Sequence, residues 1–436
     1  MKVGSGATRP VAMLDMSMFR DHADLIRADH DRRGLAHDSI DEVIRLDDEW
    51  RKSRYDADQL RKQRNEAARG IAEAKKTGDE SAANEILERV ADIGAKIDEL
   101  ASYSDECLSK RDSLRMVIPN ILHDDVPVGE DDQKNTLHSL HGEKSEMKFE
   151  PRNHNDLIEL NGWVDQSRGA KVAGSRFYFM QGDLARLDMA LQQFGSDFLM
   201  GRGYTLVQPP LMMNREAYEG VTDLSDFETV MYGIEPDKYY LIATSEHPLT
   251  AMRMDEIIEP SELPIKLVGV SPCFRREVGA HGLSDRGIWR VHQFTKVEQI
   301  VICRPDDSWG HHEELLANAI DLWDSLGLHY RVVNICTGDM GTVASRKYDL
   351  EAWLPGAGSY KEVVSCSNCT DYQANRLRMR YRTSEGNSAV HTLNSTAIAT
   401  SRALVAIMEQ YQNEDGTVTV PEVLRQYMGK EILESL

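Results

Sequence analysis

Residues Cys273 to Glu298 read CFRREVGAHGLSDRGIWRVHQFTKVE. An extended run breaks into a segment holding Gly279, Gly282 and Gly287, then resumes as a second extended run, which is the pattern of two antiparallel strands joined by a long loop. Alternation along a strand predicts that Arg275 and Glu277 share one side, and that Arg290, His292, Phe294, Lys296 and Glu298 share one side of the return strand. Buried and unpaired, each of these charges would cost several kcal/mol, so the two faces are expected to meet a ligand or water. A guanidinium pairs with carboxylate or phosphate, a flat ring stacks on a base, and a carboxylate holds an ammonium group. The set suits a nucleotide and an amino acid side by side. A solvent-exposed hairpin with ordinary charge decoration is the alternative that spacing alone leaves open.

Outward from that hairpin, the chain of 436 residues is too long for one simple core and predicts two domains or more. A formal charge of −21 argues against a generally basic nucleic-acid binder, so the placement of the positive charges matters more than their sum. Six cysteines without a secretory signal are expected as reduced thiols in a cytoplasmic protein. No run approaches the roughly eighteen apolar residues of a membrane span. Residues 1–12 carry no pattern and are expected as an extension.

From Ser39 to Ile118 the pattern becomes helical and charged. Val43, Leu46, Trp50, Ala57, Leu60, Ala67 and Ile71 follow alternating spacings near three and four, with polar Ser53 and Arg64 at two of the positions. Ile86, Val90, Ile93, Ile97, Leu100, Cys107 and Leu114 do the same beyond Lys76-Thr77-Gly78-Asp79. Two narrow seams around a Gly-containing break predict an antiparallel coiled-coil hairpin. Its first helix carries Arg51, Arg54, Arg61, Lys62, Arg69, Lys75 and Lys76, a basic stripe along which a phosphate backbone could lie without base contacts. A solvated helix face accounts for the same charges.

Residues 119–150, with Pro119, Pro127 and an acidic Glu130-Asp131-Asp132, are expected as a linker between an arm of residues 13–118 and a body of residues 151–436. In the body, Asp183 to Met200 is amphipathic and leads through Gly203 to Pro210, an arrangement expected of an edge strand. Tyr239 to Ala243 reads as a strand ending at Thr244-Ser245-Glu246. Tyr348 to Trp353 and Tyr360 to Cys366 form a hairpin with Glu362 and Ser365 at its exit. Asn394 to Thr396 runs into a helix predicted over Ala397 to Tyr411. Antiparallel strands with flanking helices make the class α+β.

These residues carry a resemblance. Gly203-Tyr204 with Val207 and Pro210 resembles class II motif 1, Phe274 to Glu277 with Arg290 to Phe294 and Val297 to Gln299 resembles motif 2, and Asn394 to Arg402 resembles motif 3. In this order, behind a helical arm, they are similar to the seryl-tRNA synthetases of the class II aminoacyl-tRNA synthetase family. The resemblance implies activation of L-serine with ATP and Mg²⁺, transfer to tRNA(Ser), and a homodimer.

By the same resemblance, Arg275 would bridge the ATP α-phosphate and the serine carboxylate, with Arg276 beside it. Glu277 would contact adenine, Phe294 would stack on it, and the Val291 backbone would bond its edge. Glu362 and Ser365, with Val363 and Val364 between them, would line the phosphates and hold Mg²⁺, and Arg402 would hold the γ-phosphate. Thr244 and Glu246 would fix the serine ammonium, Glu298 and Thr396 would read its hydroxyl, and Ser245 and Asn394 would also line the serine site. Ser245 departs from the usual Thr-Ala-Glu. His281 lies in the motif 2 loop, and Cys366 with Cys369 has metal-ligand spacing but no second pair, so structural thiols are expected.

Overall fold

The computed structural model describes residues 14–144, 146–223, 229–236, 238–277 and 287–436. The predicted extension at residues 1–12, His281 and the loop glycines Gly279 and Gly282 lie outside the described residues. The chain divides into two compact units, Leu14–Ile118 and Pro119–Leu436.

The first unit is helical: α1 (Met16–Asp21), α2 (Ala23–Arg33), α3 (Asp38–Thr77), α4 (Glu80–Val90) and α5 (Ile93–Val117). Forty residues carry α3 about 60 Å. It ends at Gly78, whose φ of 76° suits a residue without a Cβ, and the Asp79 carboxylate caps α4 by accepting from the Ala82 amide at 3.0 Å. Together α4 and α5 return along α3 as the two seams predict. Gly70 faces Ile86 so closely that an added Cβ would lie 3.2 Å from its Cδ1. At the base, buried Asp47 lies 2.7 Å from both Arg20 on α1 and Arg111 on α5. Burial works to raise its carboxyl, but the two guanidiniums outweigh that and hold it below the ordinary range.

The second unit is built on an eight-stranded sheet. Its strands are β1 (Thr136–His141), β2 (Thr205–Val207), β3 (Ile265–Phe274), β4 (Gln293–Cys303), β5 (Tyr330–Asn334), β6 (Arg346–Leu354), β7 (Ser359–Asn368) and β8 (His391–Ala399). They lie in the order β1-β5-β6-β7-β8-β4-β3-β2, antiparallel except where β2 runs parallel to β3 at the edge. One face is covered by α6 (Gly182–Met200), α9 (Ser308–Ser325) and α11 (Thr400–Gln410) over a core that includes Leu187, Val297, Leu322, Val363, Ile398 and Leu404. The other face carries α7 (Arg215–Val221), α8 (Glu246–Ala251) and α10 (Tyr372–Arg376).

Residues 119–150 do not behave as a linker. They belong to the second unit: β1 pairs with β5, and Leu122 and Val126 are buried with Val333, Ile335 and Met340. Polar decoration concealed a short edge strand whose outer face is solvated. The helix predicted from Ala397 starts later, at Thr400, because His391 to Ala399 remains extended between β4 and β7.

Candidate active site

Two β-bulges shape the site. Between β6 and β7 the register passes from Leu350↔Val364 to Glu351↔Glu362, leaving Val363 without a partner. Val363 and Val364 therefore both turn into the core, and Glu362 and Ser365, three apart, fall on the opposite face. Between β4 and β8 the register passes from Val297↔Ile398 to Glu298↔Thr396, so Ala397 and Ile398 are both buried and Thr396 stands across from Glu298. Side chains capture a carbonyl beside each bulge. Arg402 donates to the Glu362 carbonyl at 3.0 Å, and the Trp323 indole donates to that of Ala397 at 3.0 Å.

At the centre, Lys296 Nζ lies 2.6 Å from Glu298 Oε2, both residues being almost fully buried, and Thr396 Oγ1 donates to the same oxygen at 3.3 Å. Glu246 opens α8, and its amide donates to Thr244 Oγ1 at 3.2 Å. Burial, reinforced by the nearby Glu298 charge, pushes the Glu246 carboxyl up to about 7 against the pull of Lys296, Gln373 and Arg275. Burial also raises Glu298, while Lys296, Thr396 and Arg275 oppose it. The next residue, His247, is driven down to about 3 by burial and by Lys296 and Arg275, so it is neutral. Arg275 reaches across with Nε donating to the Ala243 carbonyl at 3.3 Å, its guanidinium 5.4 Å from the centre of the Phe294 ring.

Beside this pocket, Arg402 pairs with the Glu362 carboxylate at 3.1 Å and lies 5.5 Å from the Trp289 ring. Burial alone would raise Glu362, but Arg402, Lys347 and Arg275 outweigh it and keep the carboxyl below its ordinary value. Behind it, burial pushes Asp349, which accepts from the Ser365 hydroxyl, up to about 7.

The structure departs from the expected alternation at both ends of the hairpin. β3 ends at Phe274 and β4 begins at Gln293, so Arg275, Glu277, Arg290 and His292 lie beyond regular strand. Glu277 has φ of 46°, and its carboxylate is 3.6 Å from Arg290. His292 does not face the pocket group: its Nδ1 is 2.8 Å from the Tyr232 hydroxyl and from the Arg275 carbonyl, and its ring stacks on Phe177.

Arg276 is exposed, its amide donating to the Val230 carbonyl at 2.8 Å. Val291, Val363 and Val364 have buried side chains, so a ligand would meet only their backbone. The Ser245 side chain is fully buried, and its hydroxyl faces the Gly269 carbonyl at 3.5 Å. A Cβ at position 269 would sit 2.7 Å from that hydroxyl oxygen. Asn394 shares the Thr396 face of β8 but points its amide at the Cys369 thiol, 3.7 Å away. Sequence reasoning missed Gln373, buried on α10 and donating to Glu246, because nothing in the spacing of Tyr372 to Arg376 marks it. In the helical unit, Arg51, Arg54, Arg61, Lys62, Arg69, Lys75 and Lys76 are all exposed on α3.

Known proteins match this arrangement along the chain. Residues 13–122 match the seryl-tRNA synthetase N-terminal domain and residues 230–411 the tRNA synthetase class II core domain (G, H, P, S and T). A serine–tRNA ligase of Methanoregula boonei is 52% identical over 422 residues, covering 96% of this chain and 99% of the relative. A crystal structure of seryl-tRNA synthetase from Pyrococcus horikoshii complexed with ATP aligns at a TM-score of 0.91 with 43% identity, covering 97% of this chain and 99% of that one. The cytoplasmic enzyme of Naegleria fowleri in complex with AMP aligns at 0.87 with 34% identity, over 97% and 99% of the two chains. With an arm, a class II sheet and a buried cluster of acids and arginines in one chain, and relatives this similar along its length, the protein belongs to the seryl-tRNA synthetase family.

Proposed function

We propose that this enzyme activates L-serine with ATP and transfers it to the terminal ribose of tRNA(Ser). A serine carboxylate oxygen attacks the α-phosphorus, pyrophosphate leaves, and seryl-adenylate forms. A ribose hydroxyl then loses its proton as it attacks the acyl carbon, and AMP departs. Positioning and electrostatics suffice for both steps. The observation that carries this reading is one buried cluster in which Glu246, Glu298, Lys296, Thr396 and Arg275 meet beside the Arg402–Glu362 pair.

In this reading Glu246 and Thr244 take the ammonium group, and Glu298 with Thr396 takes the hydroxyl. Arg275 neutralises charge at the α-phosphate, and Arg402 leaves Glu362 for the γ-phosphate. Glu277, Phe294 and the Val291 backbone form the adenine site. Alanine would leave Glu298 and Thr396 unpaired, and threonine would not fit.

Mg²⁺ fits Glu362 and Ser365, because the bulge aligns two oxygen groups and Lys347 and Arg275 favour the ionised carboxylate. Two protein oxygens suit an ion that takes its remaining ligands from phosphates and water. When bound it would neutralise phosphate charge. Among the described residues no cluster of three His, Cys, Asp or Glu could hold a metal unaided.

The exposed basic residues of α3 support an RNA-binding arm, and we assign residues 13–118 to tRNA and 119–436 to catalysis. Met189, Met200 and Leu206, on α6 and edge strand β2, are exposed apolar side chains, as suits a homodimer. No described helix is long and apolar enough to cross a membrane, and six free thiols suit the cytoplasm. Amino-acid-dependent exchange of pyrophosphate into ATP, run with each of the twenty amino acids, tests the assignment: exchange is expected with serine alone, and exchange with another amino acid instead would refute it.

A further inference from the structure

We propose that Gln373 is a positioning residue for amino-acid recognition: its amide, oriented by the Thr392 hydroxyl, holds the Glu246 carboxylate where the substrate ammonium docks. The inference rests on the reading of Glu246 given above.

Gln373 is fully buried on α10 and joins three elements of the second unit. Its Oε1 accepts from Thr392 Oγ1 on β8 at 2.6 Å. Its Nε2 donates to the Val221 carbonyl at the end of α7 at 2.9 Å and to Glu246 Oε1 on α8 at 3.3 Å. The two ends of an amide have the same shape, so the hydrogen-bond network decides its orientation. Reversed, the amide oxygen would face the Val221 carbonyl and the Glu246 carboxylate, and with Glu246 ionised neither has a proton to give. The hydroxyl of Thr392 can donate, and it completes the one arrangement in which every buried partner is matched.

The groups facing Glu246 leave this amide a distinct task. Glu298 on β4 repels the Glu246 charge, while Lys296 on β4 and Arg275 beyond β3 attract it. His247 is neutral, and the buried thiol of Cys369 is kept protonated by burial and by Glu246 itself. The two cations are shared with Glu298, and Arg275 also acts on Glu362. Gln373 instead donates directly to Glu246 and favours its ionised form, which is the form an ammonium group needs.

The test uses the full chain and reads KM for serine and for ATP from pyrophosphate exchange between about pH 6 and pH 9. Gln373→Met is expected to raise KM for serine about tenfold while moving KM for ATP less than about twofold, and to shift the acid limb of serine affinity to higher pH. Equal rises in both KM values, or an unmoved acid limb, would overturn the proposal. Thr392→Val keeps the β-branched shape and frees the amide, so it should move the same limb in the same direction by a smaller step; it decides the matter if Gln373→Met does not fold. Glu246→Ala separates the two readings. If it leaves KM for serine unchanged, the ammonium site and this inference both fail; if it raises that KM while Gln373→Met and Thr392→Val do not, only the inference about Gln373 fails.

Discussion

Thr396 lies directly across the sheet from Glu298, its Oγ1 3.3 Å from Glu298 Oε2, because Ala397 is dropped from the ladder between β8 and β4. Without that bulge, strict alternation would carry Thr396 out of register with Glu298. Thr396→Val is therefore expected to raise KM for serine about tenfold and to leave KM for ATP unchanged, since it removes one hydroxyl from the edge of a buried carboxylate. Steady-state exchange kinetics check this, and equal effects on both substrates would contradict it.

Arg275 acts on both Glu246 and Glu362 and lies 5.4 Å from the Phe294 ring centre. Arg275→Ala should lower serine-dependent exchange at least about a hundredfold, the scale for losing a donor to developing charge. Far-ultraviolet circular dichroism should match that of the parent. Near-normal exchange would exclude Arg275 from the chemistry.

Glu246 has a carboxyl raised by burial from its ordinary value to about 7. The folded chain then binds more protons than the unfolded chain across pH 4.5 to about 7, so stability falls as pH rises through that window. Glu246→Gln lacks this dependence. It should be more stable than the parent at pH 8 by an amount of order 3 kcal/mol, with the gap closing near pH 4.5. Urea unfolding without serine measures it. A gap that is constant with pH would show that Glu246 does not titrate there.

Ser365 reaches the Glu362 face because of the Val363 bulge. Ser365→Ala should raise the Mg²⁺ concentration giving half-maximal exchange several-fold while leaving KM for serine unchanged, since one of the two proposed protein ligands is lost. A Mg²⁺ titration that superimposes on the parent's would argue against Ser365 as a ligand.

The facing of Gly70 to Ile86 and of Glu49 to Cys107 sets the register of the hairpin and places residue 63 across from residue 93. Replacing residues 64–92 with a short Gly-rich turn thus shortens the arm in register and removes Arg69, Lys75 and Lys76. Exchange of pyrophosphate should persist at the parental rate and charging of tRNA should be lost. Unimpaired charging would remove the arm from the proposed tRNA site.

Much of this protein was legible in local pattern. The seams of α3 to α5 repeat at helical spacing, and Gly78 stops the first helix because its backbone adopts the left-handed region. The amphipathic run at Asp183 to Met200 and the edge strand after Gly203 follow from periodicity and punctuation, and Arg275 and Glu298 were marked by charge where a core should be apolar, with Phe294 as the one ring among them.

What the tertiary structure decided depends on pairing between distant segments. Which residue drops out of a ladder is settled by the neighbouring strand, so the inward Val363-Val364 and Ala397-Ile398 pairs could not be read from alternation. The strand Thr136–His141 acquires its identity only from β5, across nearly two hundred residues. Only Gly269 on β3 fixes where the Ser245 hydroxyl turns, and Gln373 became visible only when α7, α8 and β8 closed around it. Local sequence sets the period of each element. The faces that meet are chosen by the non-local packing that buries them.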